Sequence, residues 1–403
     1  MNESGYTNYL RNIEHVCETL RSADINESDL NETTQILYPA KDLFSGHGIK
    51  LVELDEQLLE IINKGDSLSF KGSSNETAVL CTENRTYEIK EAETSNSLLL
   101  VPDLMLGDDT KTPEEHGRVI KRCCVTGIFH NYYEVHKCKP RVDKILTVLE
   151  PSCYNGKEYE SDIDSTILYD WDKLRNEIQA SEDELKQALN DHLVVTIDGY
   201  LRLISFEAEV RNVTYMLDLF NDYSWEVDEV DKEITYDSLK ELIAEPIFKA
   251  LFEKYTSLSE KLKEDNTPLY RYNEEKVCKI LAKVLLTALP VNKYNDFMES
   301  WKMGVPEKIV PKEEYLRGIA IIIYNKSIMQ KEVISFPEET LPKNINDRLK
   351  EIFKVKEKWT LEEITPYILK FETNKLNVNA LLTKYARCST HTGIKYYSSK
   401  HGK

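Results

Sequence analysis

At 403 residues the chain has room for two to four domains of roughly 100–200 residues, each able to bury a core. Hydrophobic residues at 41% and charged residues at 30% exclude wholesale disorder. A formal charge of -18 repels phosphate, so contact with nucleic acid requires the cations to be gathered in one place.

Residues 1–35 form a polar segment without the apolar core of a signal peptide, and "NYLRNIEHVCETL" predicts one helix within it. The longest apolar run, "GIAIIIY" (318–324), is far too short to span a bilayer. Eight scattered cysteines with no C-x-x-C spacing suit free thiols in a reducing compartment. From 36 to 150 the pattern is β-type. "DSLSFKG" (66–72), "TAVLC" (77–81), "RTYEIKE" (85–91) and "NSLLLVP" (96–102) are short alternating runs, followed by "RVIKRCCVTGIF" and "NYYEVHKCKP". Alternation broken by turn residues predicts a small antiparallel sheet or barrel. It is too small to close its own core, so the expectation is that a partner's strands complete it.

Residues 151–170 are acidic and apolar-poor and read as a linker. Beyond them the fold class becomes α+β with tandem winged helices, expected at 171–235, 236–342 and 343–403. In the first, Ser181 and Glu184 form a capping box, and Leu185, Ala188 and Leu189 make an apolar stripe. "LVVTIDGYLRLI" follows as a hairpin turning at Asp198-Gly199. In the second, Asn273 caps a helix ending at Pro290, then "KYNDFMESWKMGVP" gives a helix and "LRGIAIIIYN" and "KEVISF" give strands. In the third, Ile345, Leu349, Ile352 and Phe353 share a helix face. Thr360 and Glu363 form a second capping box, Pro366 is expected to interrupt its helix, and "NVNALLTKYARC" leads into "STHTGIKYYSS".

No phosphate-binding loop, dinucleotide fingerprint, zinc-protease motif or nucleophile elbow occurs, so no catalytic residue and no cofactor is assigned. Cys124, His130, His136 and Cys138 sit close in sequence, but strand alternation is expected to scatter them over two faces, and no metal site is assigned. The acidic run "EVDEVDKE" (226–233) reads as a solvated, partner-facing stretch. From Thr373 onward there are six Lys or Arg and no Asp or Glu. A helix starting near Asn377 places Val378, Leu381, Leu382 and Tyr385 on one stripe, with Lys384 and Arg387 outward together. Lys384, Arg387, Lys395, Lys400 and Lys403 are the candidate DNA-binding residues. A solubilising tail is the alternative reading of the same charges, and Tyr385, Tyr396 and Tyr397 are assigned to packing.

"LSFKGSSNETAVLCTENRTYEIKEAETSNSLLLVPD", "QASEDEL" with "IDGYLRLI", and "LLTKYARCSTHTGIKYYSSK" together resemble the sister chromatid cohesion protein of the DCC (defective in sister chromatid cohesion) family. The resemblance runs from about residue 35 to the end. It implies a non-enzymatic, nuclear accessory subunit of the alternative replication factor C clamp loader. The implied partners are the chromosome-transmission-fidelity subunits, whose strands share a barrel with the N-terminal β region, and the replication factor C small subunits. DNA polymerase epsilon would meet the first winged helix, PCNA would be reached through the complex, and DNA would meet the last winged helix at Lys384, Arg387 and Lys395. No membrane is implied. A free-standing winged-helix transcription or chromatin factor is the competing class.

Overall fold

The computed structural model describes residues 11–31, 33–44, 48–106, 118–372, 376–391 and 393–400. In chain order the helices and strands begin with α1 (Ile13–Ser22), β1 (Thr33–Phe44), α2 (Glu56–Lys64), β2 (Ser69–Lys71), β3 (Val79–Cys81), β4 (Thr86–Leu100) and β5 (Val119–Lys137). Then come α3 (Lys144–Leu149), α4 (Trp171–Glu177), α5 (Glu182–Asp191), β6 (Val194–Ile197), β7 (Tyr200–Leu203), α6 (Phe206–Asp222), α7 (Lys232–Leu239), α8 (Glu245–Tyr255), β8 (Thr256–Leu262) and β9 (Pro268–Tyr272). The chain continues through α9 (Glu274–Ala288), β10 (Val291–Lys293), α10 (Tyr294–Gly304), β11 (Ala320–Asn325) and β12 (Gln330–Ser335). It closes with α11 (Ile345–Val355), β13 (Trp359–Thr360), α12 (Leu361–Ile368), α13 (Val378–Tyr385), β14 (Ala386–His391) and β15 (Ile394–Ser399). Two compact units result: Met1–Ile145 with Trp171–Ala188, and Leu146–Asp170 with Leu189–Lys403.

The first unit is built on one sheet of order β1-β5-β4-β3-β2. The segments expected as separate short strands at 85–91 and 96–102 are one strand, β4. Those at 118–129 and 131–137 are likewise one strand, β5. The turn-like residues between the first pair are absorbed by a register shift between Glu93 and Leu98, so the ladder continues past them. The expected antiparallel pattern holds except at β1, which pairs in parallel with β5. The described residues form an open sheet and no closed barrel, with β1 and β2 at its edges. Along β5, Cys123, Val125 and Phe129 are buried, while Ile128 and its β4 partner Leu99 are exposed. Leu58 of α2 packs with Leu80 and Tyr87 on the sheet.

Polar contacts fasten the segment from α4 to α5 onto this sheet. Lys71 donates to the carbonyls of Arg175 and Ala180 at 2.9 and 2.7 Å. Gln179 donates to the carbonyls of Lys71 and Thr77 and receives Arg141. The Ser181–Glu184 capping box forms as the spacing predicts, and the buried Thr86 hydroxyl joins it. That hydroxyl donates to Glu184 Oε2 at 2.6 Å and accepts from the Ser181 amide at 2.9 Å.

In the second unit, residues 151–170 are packed rather than a free linker. Ser152 and Tyr154 are buried. The Arg202 guanidinium, 3% exposed, donates to the Ser152 carbonyl at 2.6 Å and to Glu160 Oε1 at 2.9 Å. Glu160 and the backbone at Ser152, Tyr154 and Tyr169 find partners on β7, which composition does not register. The β6–β7 hairpin turns at Asp198 and Gly199, both at positive φ as a tight two-residue turn requires.

One order then occurs three times: helix, short strand, two helical segments, hairpin. First come α6, a bridge from Val230 to Tyr270 of β9, α7, α8 and β8–β9. The expected boundary at 235/236 falls inside α7. Second come α9, β10, α10, a 3-10 turn at Glu313–Leu316, and β11–β12, with sheet order β10-β12-β11. Third come α11, β13, α12, α13 and β14–β15, with sheet order β13-β15-β14. Asn273 caps α9 through the Lys276 amide, and Thr360 and Glu363 cap α12 reciprocally. Pro366, expected to interrupt this helix, lies inside α12, which runs on to Ile368 and into a 3-10 turn at Leu369–Phe371. One apolar core serves the first two groups, centred on residues such as Phe248, Phe252 and Trp301, and a second core around Trp359 joins the third group to Ile321 of β11.

The acidic run 226–233 is not merely solvated. Lys261 reaches Asp228 and Glu229 at 2.9 and 2.8 Å, Lys263 reaches Asp231 and Glu233, and Lys308 reaches Glu226. The Lys261 hydrogen bonds hold both the Asp228 and Glu229 carboxyls below their usual range.

Candidate nucleic-acid interface

The cationic end is carried by the third group. Asn377 caps α13 by accepting from the Ala380 amide at 2.9 Å, and Leu381 and Leu382 bury the helix face. Trp359 anchors the sheet below. It pairs with Tyr397 across β13 and β15, and its indole N–H donates to the Lys356 carbonyl at 2.6 Å. Tyr397 is buried, which pushes its phenol up from the ordinary value. The packing assignment for Tyr397 therefore stands on its burial.

The sequence places Lys384 and Arg387 on one helix face, and the structure does not. The helix ends at Tyr385, because Ala386 is already extended, and Arg387 lies on β14. Cross-strand pairing sets Arg387 opposite Ser398 and Thr390 opposite Lys395. Strand alternation puts Arg387 and Lys395 on opposite faces of the hairpin. Lys384, Arg387, Lys395 and Lys400 are all exposed. Lys403 lies outside the described residues.

Lys384 and Lys400 are brought together. Lys400 Nζ donates to the Lys384 carbonyl at 2.9 Å, satisfying one of the carbonyls left free at a helix C-terminus. Lys384 Nζ sits 5.1 Å from the Tyr385 ring centroid. Both lysines line a shallow groove of about 340 Å³ whose far wall is α11, with Leu349, Lys350 and Phe353. Lys350 escaped the sequence reading. The signal was present, since Lys350 and Phe353 stand three apart on α11 and so are surface neighbours. No Asp or Glu lines this groove among the described residues. The nearest acid partner identified is Asp347, 3.0 Å from Lys350 in an exposed pair, a kind that contributes little.

One buried ion pair holds the group together. Arg348 is fully buried. It donates to the carbonyls of Pro342, Tyr367 and Leu341 at 2.8, 2.8 and 3.0 Å and to the Glu338 carboxylate. Burial raises the pKa of Glu338, but hydrogen bonds from Arg348 and Lys370 outweigh it, so the carboxyl titrates below its usual range.

The cysteine and histidine residues near 124–138 do not converge. Cys124, His130 and His136 fall on one face of β5 and not on two, but six residues apart along a strand is about 20 Å. Among the described residues no three His, Cys, Asp or Glu side chains gather as a metal site.

The family model described as "Sister chromatid cohesion protein Dcc1" matches residues 49–368. The chain is 31% identical to the sister chromatid cohesion protein DCC1 of Xenopus laevis, over 97% of this chain and 98% of that one. It is 32% identical to the protein of that name from Danio rerio, covering 97% and 99%. The likeness to the Saccharomyces cerevisiae protein of that name is 21%, covering 84% and 93%. The family model stops before α13, whereas the whole-chain likenesses span nearly all of the sequence. The chain belongs to the sister chromatid cohesion protein Dcc1 family.

Proposed function

We propose that this chain is a non-catalytic, nuclear subunit of an alternative replication factor C-like clamp loader, acting in sister chromatid cohesion and in PCNA loading or unloading at replication forks. Its three helix–strand–helix–helix–hairpin groups are winged helices. In each, the first strand or bridge pairs with the second strand of the hairpin, the connectivity such a unit needs. Its open N-terminal sheet takes strands from the chromosome-transmission-fidelity subunits. The β1 edge with its exposed Leu37 and Tyr38 supports that reading, because an apolar edge invites pairing, and the exposed Leu99 and Ile128 on the interior strands β4 and β5 add an apolar face for a partner to cover. DNA polymerase epsilon docks on the first winged helix, within about 171–235, and replication factor C small subunits complete the loader.

The observation that carries the DNA part is the exposed cationic surface of α13 to β15 in an otherwise acidic chain, where Lys384 and Lys400 meet. Lys and Arg on phosphate position a protein without reading bases. Binding measured by fluorescence anisotropy should therefore show little sequence preference. With about four phosphates neutralised, log K against log salt should have a slope of about -4. Lys384→Glu with Arg387→Glu should weaken all sequences alike. A flat salt dependence refutes the DNA role, and loss at one sequence alone favours a transcription factor. Purification of the tagged chain should bring down clamp-loader subunits, and their absence refutes the assembly reading.

A further inference from the structure

We propose that the groove between α11 and the end of α13 is a stacking site for an unpaired base of single-stranded DNA, a finer statement that rests on the DNA reading above. The groove combines two chemistries. Its apolar lining is Leu349, Phe353 and Tyr385, and its cationic lining is Lys350, Lys384 and Lys400. Anionic ligands fit the three lysines, since none of the lining residues is acidic, and flat apolar ones fit the apolar lining. A nucleotide offers both in one molecule. The recess of about 340 Å³ is at the small end of ligand sites, the size of a single base with its sugar and far from that of a duplex.

The three cations are held differently, which orders the binding event. Lys400 is fixed by the Lys384 carbonyl at 2.9 Å. Among the described residues Lys350 is held by an exposed pair with Asp347, so it can swing to a phosphate at little cost. Lys384 lies over the Tyr385 ring at 5.1 Å. An entering base takes the place of that flexible lysine over the half-buried ring, and the displaced ammonium meets the phosphate that arrives with the base. Stacking of this kind tolerates every base, since each has a π-face. Duplex DNA keeps its bases paired and leaves the wall unused, so it feels only the cations.

The test uses the full chain with a fluorescent oligothymidylate and a duplex of equal length. Tyr385→Leu keeps apolar volume and removes the ring; Lys350→Glu alters only an exposed side chain; Arg387→Glu lies on β14, outside the groove. Tyr385→Leu should weaken oligothymidylate binding about tenfold and duplex binding less than twofold. Lys350→Glu should weaken oligothymidylate more than Arg387→Glu does. In the wild-type chain, ultraviolet cross-linking of an oligonucleotide bearing 5-bromodeoxyuridine should map to Tyr385 or Phe353 by mass spectrometry. If circular dichroism shows that Tyr385→Leu is unfolded, Lys350→Glu and the cross-link decide. Equal losses on both DNAs, or cross-links confined elsewhere, overturn the groove while leaving the DNA reading standing. A wild-type chain that binds neither DNA overturns both. Competition by thymidine monophosphate or a phosphoserine peptide as strong as by the oligonucleotide also overturns the proposal, because it reveals a phosphate pocket and not a strand site.

Discussion

Replacing Arg348 by methionine keeps an unbranched side chain in the core and removes the guanidinium that ties α11 to its surroundings. The loss can be worked from its contacts. Three backbone carbonyls and the Glu338 carboxylate lose their donor, and the contact of the guanidinium with the Phe371 ring at 5.4 Å goes too. Breaking a buried ion pair by deleting one partner costs about 3–5 kcal/mol. Glu338 keeps Lys370 at 3.1 Å, which places this case near the lower end, about 3 kcal/mol. Hydrogen exchange read by mass spectrometry over peptides from 345–368 isolates the third group from the rest of the chain. Exchange there should quicken about a hundredfold, the factor that free energy sets. Glu338→Gln should soften the effect, so that Arg348→Met costs less in that background. Exchange within threefold of the wild type would show that the guanidinium is not what holds α11 in place, and the reasoning would fail.

The acid response follows from two carboxyls. Glu338, and Glu363 beneath its hydrogen bonds from Lys356 and the Thr360 amide, both titrate below the usual range although burial alone pushes them up. Their stabilisation is complete above the unfolded-state value of about 4.3 and is lost as pH falls through the lower folded values. The Tm of the third group should hold steady from neutral pH to about 5 and drop below it, with Glu363→Gln flattening the drop; a Tm that instead rises on acidification contradicts this. Thr86→Val removes a hydroxyl that both donates to Glu184 and accepts from Ser181, and should cost about 1–3 kcal/mol in urea unfolding of the first unit; an unchanged midpoint would separate the capping box from the sheet. Gly199→Ala, at φ +85, should cost about 1 kcal/mol in urea unfolding of the second unit, and any gain in stability would rule out a strained turn.

Local signals proved legible where neighbours in sequence decide the outcome. The capping boxes at Ser181 and Thr360, the Asn273 cap, the Asp198-Gly199 turn and the apolar stripe of α13 all form as their spacing predicts. What stayed hidden depends on groups distant along the chain. Residues 151–170 looked like a linker because their composition says nothing of Arg202, which arrives from β7 to bind Ser152 and Glu160. The join of two short runs into β4 rests on the partner strand β5, which carries the ladder past residues that normally turn. Arg387 left its expected helix face because Ala386 enters the sheet, a choice made by β15 and not by helix propensity. The groove was half legible. Lys384 and Lys400 stood out by charge, while Lys350 and Phe353 were masked within an ordinary amphipathic helix.

The charge balance carries one more consequence. Along 226–233 the cations of this chain are consumed by nearby acids, Lys261 with two of them. From α13 to β15 the sequence holds no acid, so Lys384 and Lys400 are left to a ring, a carbonyl and whatever approaches. What sets this end apart is therefore the absence of Asp and Glu more than an abundance of Lys. Its positive field has to work against a molecule of net charge -18. At an ionic strength of 0.15 M the Debye length is about 8 Å, and the distant acids are screened while a phosphate at the groove is not. At 0.01 M it is about 30 Å, and the acidic remainder reaches the incoming strand. Affinity for DNA should then climb along a straight line as salt is lowered from about 0.3 M and bend over, or fall, toward 0.01 M, instead of rising without limit as counterion release alone requires. Anisotropy titrations across that range read the bend directly. A line that stays straight to the lowest salt would mean that the acids lie too far from the bound strand to be felt, and that the cationic end works as though detached from the chain that carries it.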